Sequence, residues 1–243
     1  MAIEVFNRYE HKYLLDKSTY EKVLPVIKDK MNMDSYNKNG SAYTISNIYF
    51  DTEDDFLIRN SLSKPPYKEK LRLRSYGTAD MDSKVFLEIK KKYNGIVNKR
   101  RTVLTLKEAY DFTRTGTKPE LKPYMNAQVI RELEYFLNLY KPVPKLYLAY
   151  DRIAFFDKEN ADLRISFDMN IRSRRYNLGL EKGDYGSRLL ADDVYLMEIK
   201  TSLAKPMWLC EMLTELEIRR QSFSKYGTEY RNMLQFEEMK HAI

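Results

Sequence analysis

Charged residues alternate with apolar residues in several short runs of this sequence, and these charges are the first candidates for chemistry. In residues 70–74 (KLRLR), three cations fall on one face of a strand and two leucines on the other. The same alternation occurs in residues 86–90, 163–169 and 196–200, where Glu and Asp join Lys and Arg. Each run predicts a strand with one apolar face toward a core and one charged face toward water or a ligand.

Strands of this kind could turn their charged faces together if the sheet closed on itself. The sequence predicts about eight strands, near residues 5–15, 43–51, 68–76, 84–93, 98–105, 145–156, 162–171 and 193–201. It predicts helices near 18–31, 51–60, 106–114, 124–140, 206–219 and 229–239. The first of these is expected to open on a capping box at residues 18–21 (STYE). The expected fold is α+β, a closed antiparallel eight-stranded β-barrel with surrounding helices, in a single domain over residues 1–243.

Composition indicates what such a lumen would hold. The chain has 42 Lys and Arg against 35 Asp and Glu, a formal net charge of +7, which favours an anionic ligand. Two like charges about 4 Å apart repel by roughly 4 kcal/mol at an effective dielectric near 20, so a basic lumen needs compensation. Carboxylates such as Glu88 and Glu198 and a bound polyanion could supply it. Because no GxxxxGK[ST] or GxGxxG motif is present, side chains would have to bind the phosphates.

Few residues are available for other chemistry. With two histidines and one cysteine, the chain can form neither a disulfide framework nor a histidine-rich metal site. A metal would be held by carboxylates and the ligand, which points to Mg²⁺ or Mn²⁺. Cys210 lies among apolar residues and is predicted to be buried. No secretion signal or apolar run of about 20 residues is present, so we expect a soluble cytoplasmic protein, with a membrane partner left open.

An ordered set of these residues resembles the triphosphate tunnel metalloenzymes. It is most similar to their VTC branch, the polyphosphate polymerase domain of the vacuolar transporter chaperone complex and its bacterial relatives. The resemblance covers nearly the whole chain and rests on these segments: residues 8–12 (RYEHK), 70–74 (KLRLR), 88–90 (EIK), 99–101 (KRR), Arg152, Arg164, Asp168, 198–200 (EIK) and 224–226 (SKY). The CYTH branch opens with Glu-x-Glu-x-Lys, whereas this chain has Arg8 in place of the first Glu. That replacement favours the VTC branch over cyclases and hydrolases.

The resemblance implies roles for particular residues. Those expected to act in catalysis are Lys12, Arg72, Arg74, Lys90, Arg152, Arg164 and Glu198. Those expected to bind phosphate or nucleotide are Arg8, Arg59, Lys70, Lys99, Arg101, Lys200, Ser224, Lys225 and Tyr226. Mn²⁺ or Mg²⁺ would bind at Glu198, with Glu88 and Glu10 either as further ligands or as partners of neighbouring lysines.

The implied function is a metal-dependent polyphosphate polymerase, which transfers the γ-phosphate of ATP to a growing inorganic polyphosphate chain. Two alternatives stay open: a tripolyphosphatase or nucleoside triphosphatase of the same fold, and a non-catalytic polyanion-binding module. Nucleic acid is not expected as a partner, because the 20 tyrosines fall mostly at positions predicted to pack in the core. ATP and inorganic polyphosphate are the expected partners, and a monomer is favoured.

Overall fold

The computed structural model describes residues 9–94, 96–159, 162–202 and 204–241. The strands are β1 (Tyr9–Asp16), β2 (Met31–Met33), β3 (Tyr43–Asp51), β4 (Tyr67–Tyr76), β5 (Lys84–Tyr93), β6 (Ile96–Thr105), β7 (Val143–Asp157), β8 (Arg164–Arg174), β9 (Ser187–Arg188) and β10 (Val194–Thr201). The helices are α1 (Lys17–Lys30), α2 (Phe56–Leu62), α3 (Leu106–Thr115), α4 (Ala127–Tyr140), α5 (Met207–Glu215) and α6 (Lys225–His241). The eight predicted strands and six predicted helices are therefore present, although residues 5–8 of the first predicted strand lie outside the described residues. The short strands β2 and β9 were not predicted.

Helix starts follow local capping chemistry. The carboxylate of Asp16 accepts a hydrogen bond from the amide of Thr19, so α1 begins at Lys17 and the predicted capping box at residues 18–21 is wrong. A capping box does open α3, where Thr105 and Glu108 satisfy each other's backbone amides. Helix α6 begins at Lys225, four residues before the predicted start at Glu229.

The sheet is antiparallel, with the strand order β1-β10-β8-β7-β3-β4-β5-β6 and with β2 and β9 added at its margins. The prediction of a closed barrel is wrong, because in the described part of the chain the terminal strands β1 and β6 do not pair. The amide of Gln221 instead donates a 2.8 Å hydrogen bond to the carbonyl of Lys12, so the segment before α6 lies along the free edge of β1. Side chains bridge the remaining opening, where Lys90 Nζ on β5 lies 3.4 Å from Glu10 Oε2 on β1.

The apolar faces of the strands pack beneath the helices, as the alternation predicts. Leu71, Leu73, Leu87 and Ile89 are fully buried in one cluster with side chains of α3 and α4. A second cluster packs α1 and α5 against β1, β8 and β10, and a third packs α2 and α6 near the middle of β3 and β7. With the outer face covered by helices, the charged face of the sheet is left to line the interior.

One prediction about exposure is wrong. Cys210 is exposed on α5, because it lies on the side of that helix opposite the buried Leu209 and Met212. Most of the 20 tyrosines are buried or half-buried, as predicted, but several are exposed, among them Tyr36 at 59% and Tyr76 at 38%. Within the described residues, no helix combines the length and the apolar character needed to cross a membrane.

Candidate active site

The charged faces of the strands meet around a cavity of about 280 Å³. Its wall contains eleven basic side chains and two acidic ones, together with aromatic and small polar residues. The basic side chains are Lys12, Lys70, Arg72, Arg74, Lys90, Lys99, Arg101, Arg152, Arg164, Lys200 and Lys225. The acidic ones are Glu10 and Glu198. An excess of cations in so confined a space favours a polyanionic ligand.

Glu198 on β10 is the centre of the densest charge cluster. Its Oε2 lies 2.7 Å from Lys200 and 3.6 Å from Arg152, and its Oε1 lies 3.3 Å from Lys225 and 3.5 Å from Lys12. Burial alone would raise the pKa of Glu198, but these four cations hold it well below its usual range. The carboxylate is therefore ionised at neutral pH and available to a cation or to a metal.

A second buried carboxylate, Asp168 on β8, orients two of the same cations. Arg152 donates hydrogen bonds of 2.6 and 2.8 Å to its two oxygens, and Lys225 Nζ lies 2.5 Å from Oδ2. Asp168 is fully buried, whereas Arg152 and Lys225 reach the cavity wall. Asp168 thus fixes the positions of the two basic groups. Its two hydrogen bonds with Arg152 set the direction of that guanidinium.

The opposite wall has an equivalent arrangement around Glu88 on β5. Arg72 Nε donates a 2.6 Å hydrogen bond to its Oε2, and Lys99 Nζ lies 2.7 Å from its Oε1. Arg74 approaches at 4.0 Å and also donates to the side-chain oxygen of Asn47 at 3.0 Å. Burial acts to raise the pKa of Glu88, but the surrounding cations keep it well below its ordinary value.

Glu10 on β1 joins the two walls. Its carboxylate lies 3.2 Å from Lys12 and 3.4 Å from Lys90. Burial would raise the pKa of Glu10, yet Lys90 and the neighbouring lysines lower it below its ordinary value. Lys12 also donates a 3.0 Å hydrogen bond to the carbonyl of Phe223, so β1 is tied to the segment that precedes α6.

Lys70 on β4 differs from the other lysines at this end of the cavity. Among the described residues it forms no ion pair, and its Nζ donates only to Ser224 Oγ at 3.2 Å. Burial and the charges of Lys90, Lys12 and Lys68 lower the pKa of Lys70 to about 7. Like Arg101, this cavity cation has no carboxylate partner among the described residues, so an anionic ligand would stabilise its charge.

The C-terminal segment contributes three predicted residues. Ser224, Lys225 and Tyr226 all line the cavity, and Lys225 lies beside the buried carboxylates of Asp168 and Glu198. The hydroxyl of Tyr226 donates a 3.1 Å hydrogen bond to Asp51, whose carboxylate also accepts the amides of Leu57 and Ile58 at the start of α2. Tyr226 is therefore fixed between α6 and α2.

Three other predicted residues have distinct positions. Arg164 lines the cavity and lies 3.1 Å from Asp34, and Arg101 lines it with its guanidinium 4.8 Å from the ring of Phe86. Arg59 is an exposed side chain that pairs with Asp54, and it is not part of the cavity wall. The prediction for Arg8 lies outside the described residues.

Several residues that support the site were not among the predicted site residues. Asp168 falls on the same strand face as Arg164, so alternation could have placed it beside the predicted cations. Asn47, Tyr49 and Tyr150 contact Arg72 or Arg74, with Tyr150 accepting from Arg74 at 3.3 Å. No sequence signal marks these three, because their role depends on strand pairing with β4 and β7.

The three carboxylates expected to bind a metal all lie close to basic side chains. Among the described residues, no group of three or more His, Cys, Asp or Glu side chains could hold a metal ion. Glu10 and Glu198 lie on paired strands and share Lys12 as a neighbour, whereas the Glu88 carboxylate is occupied by Arg72 and Lys99. This donor set fits Mg²⁺ or Mn²⁺ held by one or two carboxylates and completed by phosphate oxygens, with Glu88 as a partner of basic residues.

The fold and the cavity define a protein of the CYTH-like triphosphate tunnel class. The fold is similar to that of a candidate adenylate cyclase from Bacillus halodurans, with a TM-score of 0.57 and 15% identity over 91% of this chain and 96% of that one. A candidate adenylyl cyclase from Hippeastrum, described as having a dominant triphosphatase activity, gives a TM-score of 0.53 and 15% identity over 95% of this chain and 96% of that one.

The sequence identifies a single family within this fold class. A family model described as the VTC domain matches residues 7–234, so the chain belongs to the VTC domain family. No curated protein matches the sequence significantly. The family model thus identifies the family of this chain, and the structural similarity identifies its fold.

Proposed function

We propose that this protein is a polyphosphate polymerase that transfers the γ-phosphate of ATP to the end of an inorganic polyphosphate chain. The observation that carries the proposal is the cavity wall of eleven Lys and Arg side chains, several of them held in place by the buried carboxylates Glu88, Asp168 and Glu198. Arginine forks and lysine point charges on neighbouring strands of one wall suit the oxygens of a phosphate chain.

A polymer, rather than triphosphate alone, is favoured by the way the basic wall continues. Alternation along β4 and β5 puts Lys68 and Lys92 on the faces that carry Lys70 and Lys90, and the register pairs Lys68 with Lys92 and Lys70 with Lys90. Like charges directly opposite each other destabilise a sheet. Of these four lysines, only Lys90 has a carboxylate partner within the described residues. A polyanion longer than triphosphate would neutralise the charges of the other three lysines.

The chemistry needs no protein base, because the attacking group is the anionic terminal phosphate of the acceptor chain. One of its oxygens forms a bond to the γ-phosphorus, the bond from that phosphorus to the β–γ bridging oxygen breaks, and ADP leaves. The basic side chains align donor and acceptor and stabilise charge on the transferred group. Mg²⁺ or Mn²⁺, held by Glu198 with Glu10 nearby, would add positive charge at the phosphates.

A hydrolase of the same fold is the second candidate, because the Hippeastrum protein of similar fold is described as having a dominant triphosphatase activity. Water would then replace the acceptor phosphate at the same binding residues.

Product length separates the two activities. Purified protein is incubated with ATP and Mn²⁺ or Mg²⁺, and the products are resolved on a gel. Chains longer than triphosphate support the polymerase, whereas orthophosphate alone supports the hydrolase. Arg59→Ala is the matched control, since Arg59 is a surface cation outside the cavity and its loss should leave product length unchanged. A protein that binds but does not turn over ATP or triphosphate would support the polyanion-binding alternative.

A further inference from the structure

Three tyrosines, of which Tyr36 and Tyr76 are exposed and Tyr43 is half-buried, form an aromatic surface here called the tyrosine cluster. The ring centroids of Tyr36 and Tyr76 are 5.3 Å apart with an interplanar angle of 16°, and Tyr43 lies 5.7 and 5.9 Å from the two. Tyr36 is 59% exposed and Tyr76 is 38% exposed. Large aromatic faces left in water beside a cavity are characteristic of binding surfaces.

The cluster continues directly from the basic wall. Tyr43 and Tyr76 both line the cavity. Tyr76 follows Arg74 by two residues on the same face of β4, which places it roughly 7 Å further along the strand. Tyr43 is the strand partner of Arg152 in the pairing of β3 with β7. The aromatic surface therefore begins where the phosphate-binding side chains of β4 and β7 end.

The cluster is also held rigidly. The side chain of Asn37 is buried, donates a 2.9 Å hydrogen bond to the carbonyl of Arg152 and accepts a 3.0 Å bond from the amide of Ala154. These bonds fix the turn that carries Tyr36 onto β7. On the other side, Tyr76 packs edge-on against Phe86 at 5.8 Å. Because the rings are already ordered, stacking of a ligand on them costs little side-chain conformational entropy.

We propose that the tyrosine cluster binds the base of the nucleoside triphosphate whose phosphates occupy the basic wall. This inference rests on the proposed function and extends it to the recognition of the donor. Ribose joins base to phosphate, so a nucleotide with its phosphates at Arg74 and Arg152 carries its base toward Tyr43 and Tyr76. Stacking uses the face of the base rather than its edge and is tolerant of base identity. ATP and GTP should therefore bind with similar affinity.

Comparison of ATP with inorganic triphosphate tests the inference, because the two ligands share the phosphates and differ in the nucleoside. Binding of both is measured by calorimetry for the wild-type protein and for Tyr36→Ala, Tyr76→Ala and Tyr36→Phe. We expect Tyr36→Ala and Tyr76→Ala to weaken ATP binding by about 5- to 150-fold, the range that loss of one stacked base implies. Triphosphate affinity should be unchanged, and Tyr36→Phe should retain ATP affinity because the ring is kept.

Tyr135→Ala is the matched control, since Tyr135 is a 69% exposed tyrosine on α4 outside the cavity wall. Triphosphate binding in the same sample reports that each variant is folded. If Tyr76→Ala does not fold, Tyr36→Ala decides the matter alone. Unchanged ATP affinity in Tyr36→Ala, or equal losses for ATP and triphosphate, would overturn the tyrosine cluster as a base site while leaving the proposed function standing. A wild-type protein that binds neither ligand would overturn both.

Discussion

Arg152 and Asp168 form a bidentate ion pair across β7 and β8, with nitrogen–oxygen distances of 2.6 and 2.8 Å. Asp168 is fully buried, and its second oxygen is shared with Lys225 from the start of α6. One carboxylate therefore sets the position of two cavity cations that are distant in sequence. Burial would raise the pKa of Asp168, but Arg152 and Lys225 lower it below the ordinary value, so the group is ionised at neutral pH.

Replacement of Asp168 tests its positioning role. Asp168→Asn should destabilise the protein by about 3–5 kcal/mol, because the buried cations Arg152 and Lys225 lose their nearest countercharge and keep only the more distant Glu198. Added triphosphate should recover part of that loss, since its oxygens can pair with the freed cations. Thermal unfolding with and without triphosphate measures both effects. Asp54→Asn is the control, because Asp54 pairs with Arg59 at the surface. Equal destabilisation in both variants would contradict the role assigned to Asp168.

The metal should depend on Glu198 and not on Glu88. Glu198→Gln is expected to abolish turnover and to leave the folded state in place at reduced stability, since four cations lose their shared carboxylate. Glu88→Gln should lower stability and triphosphate affinity through Arg72 and Lys99, with the Mn²⁺ dependence of the remaining activity unchanged.

Titration of activity against Mn²⁺ concentration distinguishes the two variants. Turnover by Glu198→Gln at the wild-type rate would remove Glu198 from the mechanism. A shift of the Mn²⁺ midpoint in Glu88→Gln would restore Glu88 as a ligand. Circular dichroism on the same samples shows that each variant is folded.

Triphosphate binding should weaken as the pH rises through about 7. Burial and the charges of Lys90, Lys12 and Lys68 lower the pKa of Lys70 to about 7 from an ordinary value of 10.5, so its charge is lost in this range. The ligand-free protein should behave in the opposite way. Between about 7 and 10.5 the unfolded chain holds a proton at Lys70 that the folded protein lacks, so the contribution of Lys70 to stability rises with pH.

Lys70→Arg isolates this effect, because arginine stays charged throughout. Calorimetric affinities for triphosphate from pH 6 to 9 are compared at each pH, which cancels protonation of the ligand itself. We expect the ratio of variant to wild-type affinity to increase with pH. A constant ratio would show that Lys70 does not titrate in this range.

Lys68 and Lys92 should affect long chains more than short ones. The variant Lys68→Ser with Lys92→Ser removes a like-charged pair that continues the basic wall of β4 and β5. We expect weaker binding of long polyphosphate, no loss of triphosphate affinity and shorter products on the gel. Lys91→Ser is the matched control, because Lys91 lies on the opposite face of β5 and pairs with Glu69 at 3.8 Å. Product lengths that are the same in both variants would rule out a role for the Lys68–Lys92 pair.

The alternation of charged and apolar residues by itself determined which side chains of this protein face inward. Side-chain direction in a strand depends only on the period of two, so Arg72 and Arg74 could be assigned to one face and Leu71 and Leu73 to the other from local pattern alone. The same rule separates Lys90 and Lys99, which line the cavity, from Lys91 and Arg100, which pair with outer carboxylates.

Other features depend on contacts between residues far apart in the chain, which no local pattern encodes. In the described part of the chain β1 does not pair with β6, and its edge accepts a hydrogen bond from the amide of Gln221 in the segment before α6. Lys225 reaches Asp168 and Glu198 because α6 folds back over the sheet. Tyr36 meets Tyr76 because Asn37 fixes its turn on β7. Strand alternation thus determined the direction of each side chain, and tertiary packing decided which of the inward-facing residues act together.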